Sequence, residues 1–132
     1  MIVVDTSAVV AIIRREDDAE TLTDILDGVD GAIMSAVSFV ETSTVIAGQG
    51  TDADVDHVRA AIRALGVEVA EVTLDQADAA VGAFLRYGKG RHPARLNIAD
   101  CFAYALAKRR DLPLLFKRDD FARTDVIPAW RP

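Results

Sequence analysis

At 132 residues and 51% hydrophobic content, the chain suits a single domain over residues 1–132 that buries a real core. No apolar run approaches the ~20 residues of a membrane span, and one cysteine excludes an internal disulfide framework. The formal net charge of −6 argues against a nucleic-acid partner for the chain as a whole, although the charge is unevenly spread along it.

Ile2, Val3 and Val4 form a wholly apolar, β-branched run, the pattern of a strand buried on both faces of a parallel sheet. The run stops on Asp5. Thr6 is the predicted N-cap of a helix over 7–14, with Val9, Val10 and Ile13 at helical spacing. Asp5 then stands where a strand hands over to a helix, at the carboxyl end where open parallel sheets bind ligands. A start on a strand, without a basic head or small-residue cleavage site, sets the expectation of a cytoplasmic protein.

An acidic helix is predicted over 17–26, ending near Gly28. Ala32 to Met34 makes a second apolar strand, and Ser35 is placed to cap a helix carrying Val37, Val40, Thr44 and Val45 until Gly48 and Gly50 break it. A helix starting at Thr51 or Asp52 ends at Gly66. Residues 67–72 alternate apolar and charged side chains, as an edge strand or extended connection does. Asp75 opens a helix to about Tyr87, and 89–95 is a loop punctuated by glycine and proline. Asn97 caps a helix over 98–109, Leu114 to Phe116 is the last strand, and a short turn or helix spans 119–124. Short apolar strands alternating with longer amphipathic helices imply an α/β fold, with helices on both sides of a central parallel sheet.

Four acids are not explained by their surroundings: Asp5, Glu41, Asp100 and Asp119. Each has a bland alternative. Glu41 completes a capping box with Ser38, Asp100 does so with Asn97, and Asp5 and Asp119 are turn or cap residues. Taken together, a parallel sheet brings Asp5 and Asp119 to one edge, with two helix starts packed above it. Carboxylates gathered there repel one another and resist desolvation unless a cation holds them. All-oxygen ligation suits Mg²⁺ or Mn²⁺, and neither His57 nor His92 has zinc-ligand spacing. Such an ion activates water and stabilises a phosphodiester transition state, so the chemistry is metal-assisted phosphodiester hydrolysis.

Four segments, Val-Val-Asp-Thr-Ser-Ala at 3–8, Ser-Ala-Val-Ser-Phe-Val-Glu-Thr at 35–42, Leu-Asn-Ile-Ala-Asp-Cys-Phe-Ala-Tyr-Ala-Leu-Ala at 96–107 and Leu-Leu-Phe-Lys-Arg-Asp-Asp-Phe at 114–121, resemble in order the motifs of PIN-domain ribonucleases. The resemblance is closest to the VapC toxins of VapBC toxin–antitoxin pairs and spans nearly the full chain. It implies a three-layer α/β/α sandwich and an endoribonuclease dependent on Mg²⁺, with Mn²⁺ as a substitute, that leaves a 3′-hydroxyl and a 5′-phosphate. It also implies a homodimer and inhibition by a cognate VapB-like antitoxin. Position by position, Asp5 and Asp100 match the acids that hold the metal, Glu41 matches the third acid, and Ser7 or the Thr6 hydroxyl matches a polar support of the first. Where many relatives place an aspartate three residues before the phenylalanine matching Phe121, this chain has Arg118. Asp119 or Asp120 then takes the fourth place. Asp119, nearer the strand end, is the one expected.

Residues 1–85 carry 16 acids and 4 bases, whereas residues 86–132 carry 5 acids and 11 bases. Arg86, Lys89, Arg91, His92 and Arg95 occur without an intervening acid just before the helix of Asp100, and a flexible basic loop there would contact an RNA backbone. The bland alternative is a solvated loop. Tyr87, Trp130 and Cys101 are expected to pack, and the histidines to lie at the surface. The helices at 7–28 and 37–47 are rich enough in apolar residues to offer a surface for an antitoxin or a second copy. A different class of function, a Mg²⁺-binding receiver-like signalling module without nuclease activity, also uses acids at strand ends, with Lys117 past a late strand. It has no need of acids on helices such as Glu41 and Asp100.

Overall fold

The structure, a computed structural model, describes residues 1–48 and 52–132. In chain order the elements are β1 (Ile2–Val4), α1 (Thr6–Ile13), α2 (Ala19–Asp27), β2 (Ala32–Ser35), α3 (Ala36–Ala47), α4 (Asp52–Ala64), β3 (Val67–Ala70), α5 (Leu74–Tyr87), α6 (Ile98–Arg110), β4 (Leu114–Leu115) and a 3₁₀ helix (Asp119–Arg123). The predicted break at Gly50 and the helix start at Thr51 lie outside the described residues.

The sheet has the order β3-β2-β1-β4 with every pair parallel. Alternation along the apolar strands sends side chains into two separate cores. Val3, Ile33 and Leu114 face α5 and α6, packing with Ala80, Ala83, Tyr87, Leu106 and Phe121. Ile2, Val4, Met34 and Leu115 face the other way, onto Val9 of α1, Leu22 and Leu26 of α2, Ile46 of α3, and Val58 and Ile62 of α4. The molecule is therefore an α/β/α sandwich. β3 is an edge strand, and β4 is flanked on its outer side by the C-terminal segment, where the Leu114 amide donates to Ile127 and the Ala129 amide donates to Leu114. Gly66, at φ +71°, makes the left-handed turn from α4 into β3.

Several local expectations are corrected. Asp5 itself, rather than Thr6, caps α1, its carboxylate accepting from the Ser7 amide. Thr6 is the first helical residue, and its hydroxyl donates to the Ser38 carbonyl at 3.2 Å, tying α1 to α3. Ser38 lies inside α3, which Ser35 caps, so no capping box joins Ser38 to Glu41. α2 starts at Ala19, two residues late, and β4 ends before Phe116. Asn97 and Asp100 do form the capping box that opens α6.

The apolar residues of α1 are core: Ala8, Val9 and Ala11 are wholly buried between the sheet and its neighbouring helices. On α3 Val40 stays 57% exposed, and a wider uncovered apolar face lies on α5 and the start of α6, where Val81, Leu85 and Ile98 are 60, 55 and 71% exposed. Among the described residues no helix is long and apolar enough to cross a membrane.

Candidate active site

Asp5 stands at the end of β1 because the strand's last amide bond places it there: its N–H donates to Leu115 of β4 before the chain turns into α1. Its carboxylate is 3% exposed. Oδ2 accepts from the Ser7 amide at 2.9 Å and from Ser7 Oγ at 2.6 Å, and Ser7 Oγ in turn accepts from the Lys117 amide just past β4 at 3.0 Å. Ser7 thereby joins the ends of both strands through one oxygen. Oδ1 is buried with no partner.

Asp100 reaches the same region from α6. Its Oδ2 accepts from the Asn97 amide at 3.0 Å while its own amide donates to Asn97 Oδ1 at 2.8 Å. The capping box fixes the side chain, and the fold buries it to 5% exposure. Glu41, in the second turn of α3, is half-buried.

The electrostatics show these groups acting on one another. Burial pushes the Asp100 carboxyl up to about 7; the Asn97 hydrogen bond opposes the shift, and the charges of Asp5, Glu41 and Asp120 add to it. Burial likewise raises Asp5, against the two Ser7 hydrogen bonds; Glu41 pushes the same way and Arg118 pulls back. The Cys101 thiol is pushed up to about 11 by burial and then by the charge of Asp100, which leaves it an inert packing residue. Carboxylates from β1, α3, α6 and the 3₁₀ helix thus share one electrostatic neighbourhood.

Among the described residues no three acidic, histidine or cysteine side chains form a ready-made ligand shell. The donor set nonetheless fits a hard divalent cation. Two buried carboxylates, one with an orphaned oxygen, lie in a field of like charge that a cation would relieve. The Ser38 hydroxyl, wholly buried on the α3 turn before Glu41, is a second orphaned polar atom. Sequence reasoning missed it, although its i, i+3 spacing to Glu41 marked it.

The two acids after β4 face different surroundings. Asp120 acts on Asp100, whereas Asp119 borders a hollow of about 310 Å³ between Lys117 and the C-terminal residues Trp130 to Pro132. Of the basic residues, Arg86 is not in the loop: it ends α5, its guanidinium over the Tyr87 ring at 4.7 Å and 3.6 Å from Asp125. Lys89, Arg91 and Arg95 are exposed. Their loop is held rather than free, closed by hydrogen bonds between Lys89 and Leu96 and between Leu96 and Tyr87. At its base a Cβ on Gly88 would collide with the Phe84 carbonyl oxygen. His92 is half-buried, edge-on to Tyr87, and its Nδ1 accepts from the Ala94 amide. Tyr87 and Trp130 pack against the two cores, as expected.

Residues 2–127 match the PIN domain family. Ribonuclease VapC30 of Mycobacterium tuberculosis is 43% identical over 135 residues, covering 98% of this chain and 99% of that protein. The chain belongs to the VapC ribonucleases of the PIN-domain family. Ribonuclease VapC of Mycolicibacterium smegmatis is 46% identical over 129 residues, covering 94% of this chain and 96% of its own. The fold agrees: the crystal structure of M. tuberculosis VapC20, described as a sarcin-ricin loop cleaving toxin, superposes over the whole of both chains with a TM-score of 0.80 at 20% identity. A toxin–antitoxin complex from Klebsiella pneumoniae gives 0.74 at 17% identity, also over the whole of both chains. VapC membership selects the ribonuclease reading of the chain over the receiver-like one. The Lys117 ammonium is engaged by Glu16 at 2.8 Å and Asp18 at 3.4 Å.

Proposed function

We propose that this VapC ribonuclease, the toxin of a type II toxin–antitoxin pair, is a divalent-metal-dependent endoribonuclease acting in the cytoplasm through its single domain. Asp5 and Asp100 would hold Mg²⁺, for which Mn²⁺ would substitute. The observation that carries the reading is the mutual field of Asp5, Glu41, Asp100 and Asp120, brought from four separate elements to one place. When bound, the ion supplies Lewis-acid charge to the phosphate and lowers the pKa of water.

The chain's own residues do the rest. Ser7 holds Asp5 in one orientation through its amide and hydroxyl, and the Asn97 cap does the same for Asp100. Glu41 orients water and accepts its proton. The water that has given this proton to Glu41 adds to phosphorus, the P–O3′ bond breaks, and the leaving O3′ takes up a proton from solvent water, giving a 3′-hydroxyl and a 5′-phosphate. The fourth acidic place, expected at Asp119, goes to Asp120, supported by its effect on Asp100. Lys89, Arg91 and Arg95 meet the RNA backbone; Arg86, engaged with Asp125, does not.

A small cognate antitoxin of the VapB type inhibits the enzyme by covering the acids. The chain forms a homodimer through the apolar face of α5 and α6, supported by a hollow of about 390 Å³ lined by Val81, Phe84, Ile98 and Phe102. Asp5→Asn tests the central assignment: cleavage of RNA in Mg²⁺ is lost while circular dichroism keeps the folded spectrum. Cleavage at the wild-type rate rejects the mechanism.

A further inference from the structure

Beside the acids lies a second hollow, of about 280 Å³, bordered by Ser7, Val10, Arg14, Glu16, Lys117 and Arg118. It adjoins the active site through a single group, the Ser7 hydroxyl that donates to Asp5 and accepts from the Lys117 amide. The Lys117 ammonium is engaged by Glu16, which borders the hollow, and by Asp18, which does not. Of the acids only Glu16 borders the hollow, and it is engaged by Lys117, which leaves Arg118 as the basic group nearest the acids. Arg14 and Arg118 are both exposed, and Arg118 is near enough to Asp5 for its charge to act on that carboxyl. No aromatic side chain borders the hollow, so nothing there stacks a base.

We propose that this hollow takes one phosphodiester of the RNA strand next to the bond being cut, with the Arg118 guanidinium donating to its non-bridging oxygens. The inference rests on the ribonuclease reading and gives it a binding subsite separate from the loop at 89–95. A guanidinium on a phosphate, with no base contact, positions the strand without reading its sequence.

The test pairs binding with turnover. In an Asp5→Asn background, which does not cut, affinity for a labelled single-stranded RNA is measured from 50 to 300 mM KCl. Arg118→Gln is expected to weaken binding about tenfold at the low-salt end and to reduce the salt slope by about 0.7, the value of one phosphate contact on a single strand. The loss is equal for unrelated sequences. In the otherwise wild-type enzyme the same change raises KM and leaves kcat nearly unaltered. Arg110→Gln, an exposed arginine in the last turn of α6 outside the hollow, serves as a control and changes neither. Unchanged slope and KM for Arg118→Gln in an enzyme that cuts RNA overturn the subsite alone. An equal effect from Arg110→Gln overturns it too, because net charge then explains the loss. Failure of the wild-type protein to cut RNA in Mg²⁺ or Mn²⁺ overturns the ribonuclease reading and the subsite with it.

Discussion

Replacing Asp100 by Asn removes a negative charge that the metal-free protein holds at a cost. The carboxyl is 5% exposed and its pKa stands at about 7 against an ordinary 3.8. In the window between those values the folded state keeps a proton that the unfolded chain has released. Stability therefore falls as pH rises through the window, and the loss is complete above the folded pKa. About three pKa units at ~1.4 kcal/mol each give an upper bound of roughly 4 kcal/mol at pH 8. Asn keeps the capping geometry, since its Oδ1 still accepts from the Asn97 amide, so the substitution lifts the charge cost without removing the cap. In EDTA at pH 8, Asp100→Asn is expected to melt higher than wild type by about 10 °C, at roughly 3–5 °C per kcal/mol for a domain of this size. At pH 5 the gap shrinks by more than half. Mg²⁺ or Mn²⁺ at pH 8 raises the melting temperature of wild type far more than that of the variant, and the variant does not cut RNA. An Asn variant less stable than wild type at pH 8 in chelator would mean that Asp100 is only a capping residue, and would refute the reasoning.

Ser7→Ala breaks the bridge between Asp5 and the Lys117 amide, leaving buried polar groups without a partner; a cost of about 1–3 kcal/mol in urea melts is expected, with a larger loss in kcat than in KM. No stability loss would show that Ser7 does not hold the carboxylate. Neutralising Arg91 and Arg95 together, as Gln, is expected to lower RNA affinity and flatten its salt dependence; unchanged affinity across a salt series removes the loop from the RNA path. Val81→Asp with Ile98→Asp places charges on the exposed apolar face of α5 and α6, and light scattering is expected to report a monomer where wild type is a dimer. A persistent dimer moves the interface elsewhere.

The parallel sheet and its flanking helices were readable because β-branched runs such as Ile2–Val4 have only one comfortable setting, buried on both faces. The ends of those runs pointed to Asp5, and the Asn-x-x-Asp spacing located both the start of α6 and Asp100. Four features were not readable, for physical reasons. Asp5 was seen as a strand-end acid, but its second role as the cap of α1 displaced Thr6, because either side chain suits that position chemically and only the backbone decides. Asp119 and Asp120 differ by one step of a 3₁₀ helix, which turns adjacent side chains about 120° apart, so the sequence alone does not say which of them acts on Asp100, as Asp120 does. The apolar surface was sought on α1 to α3, where α1 is consumed by packing but Val40 of α3 stays 57% exposed, and Val81, Leu85 and Ile98 form a further uncovered face that the periodicity did not single out. Periodicity identifies an apolar stripe without saying what covers it. Arg86 was grouped with the loop because its partner, Asp125, lies far along the chain.

Anomalous scattering from a crystal soaked in Mn²⁺ at pH 8 addresses most directly whether these acids serve one divalent ion. The account expects a peak bounded by the carboxylates of Asp5 and Asp100, with Glu41 and Asp120 facing it, and no such peak in Asp5→Asn. Strong Mn²⁺ sites elsewhere on the protein, with none between Asp5 and Asp100, would contradict it.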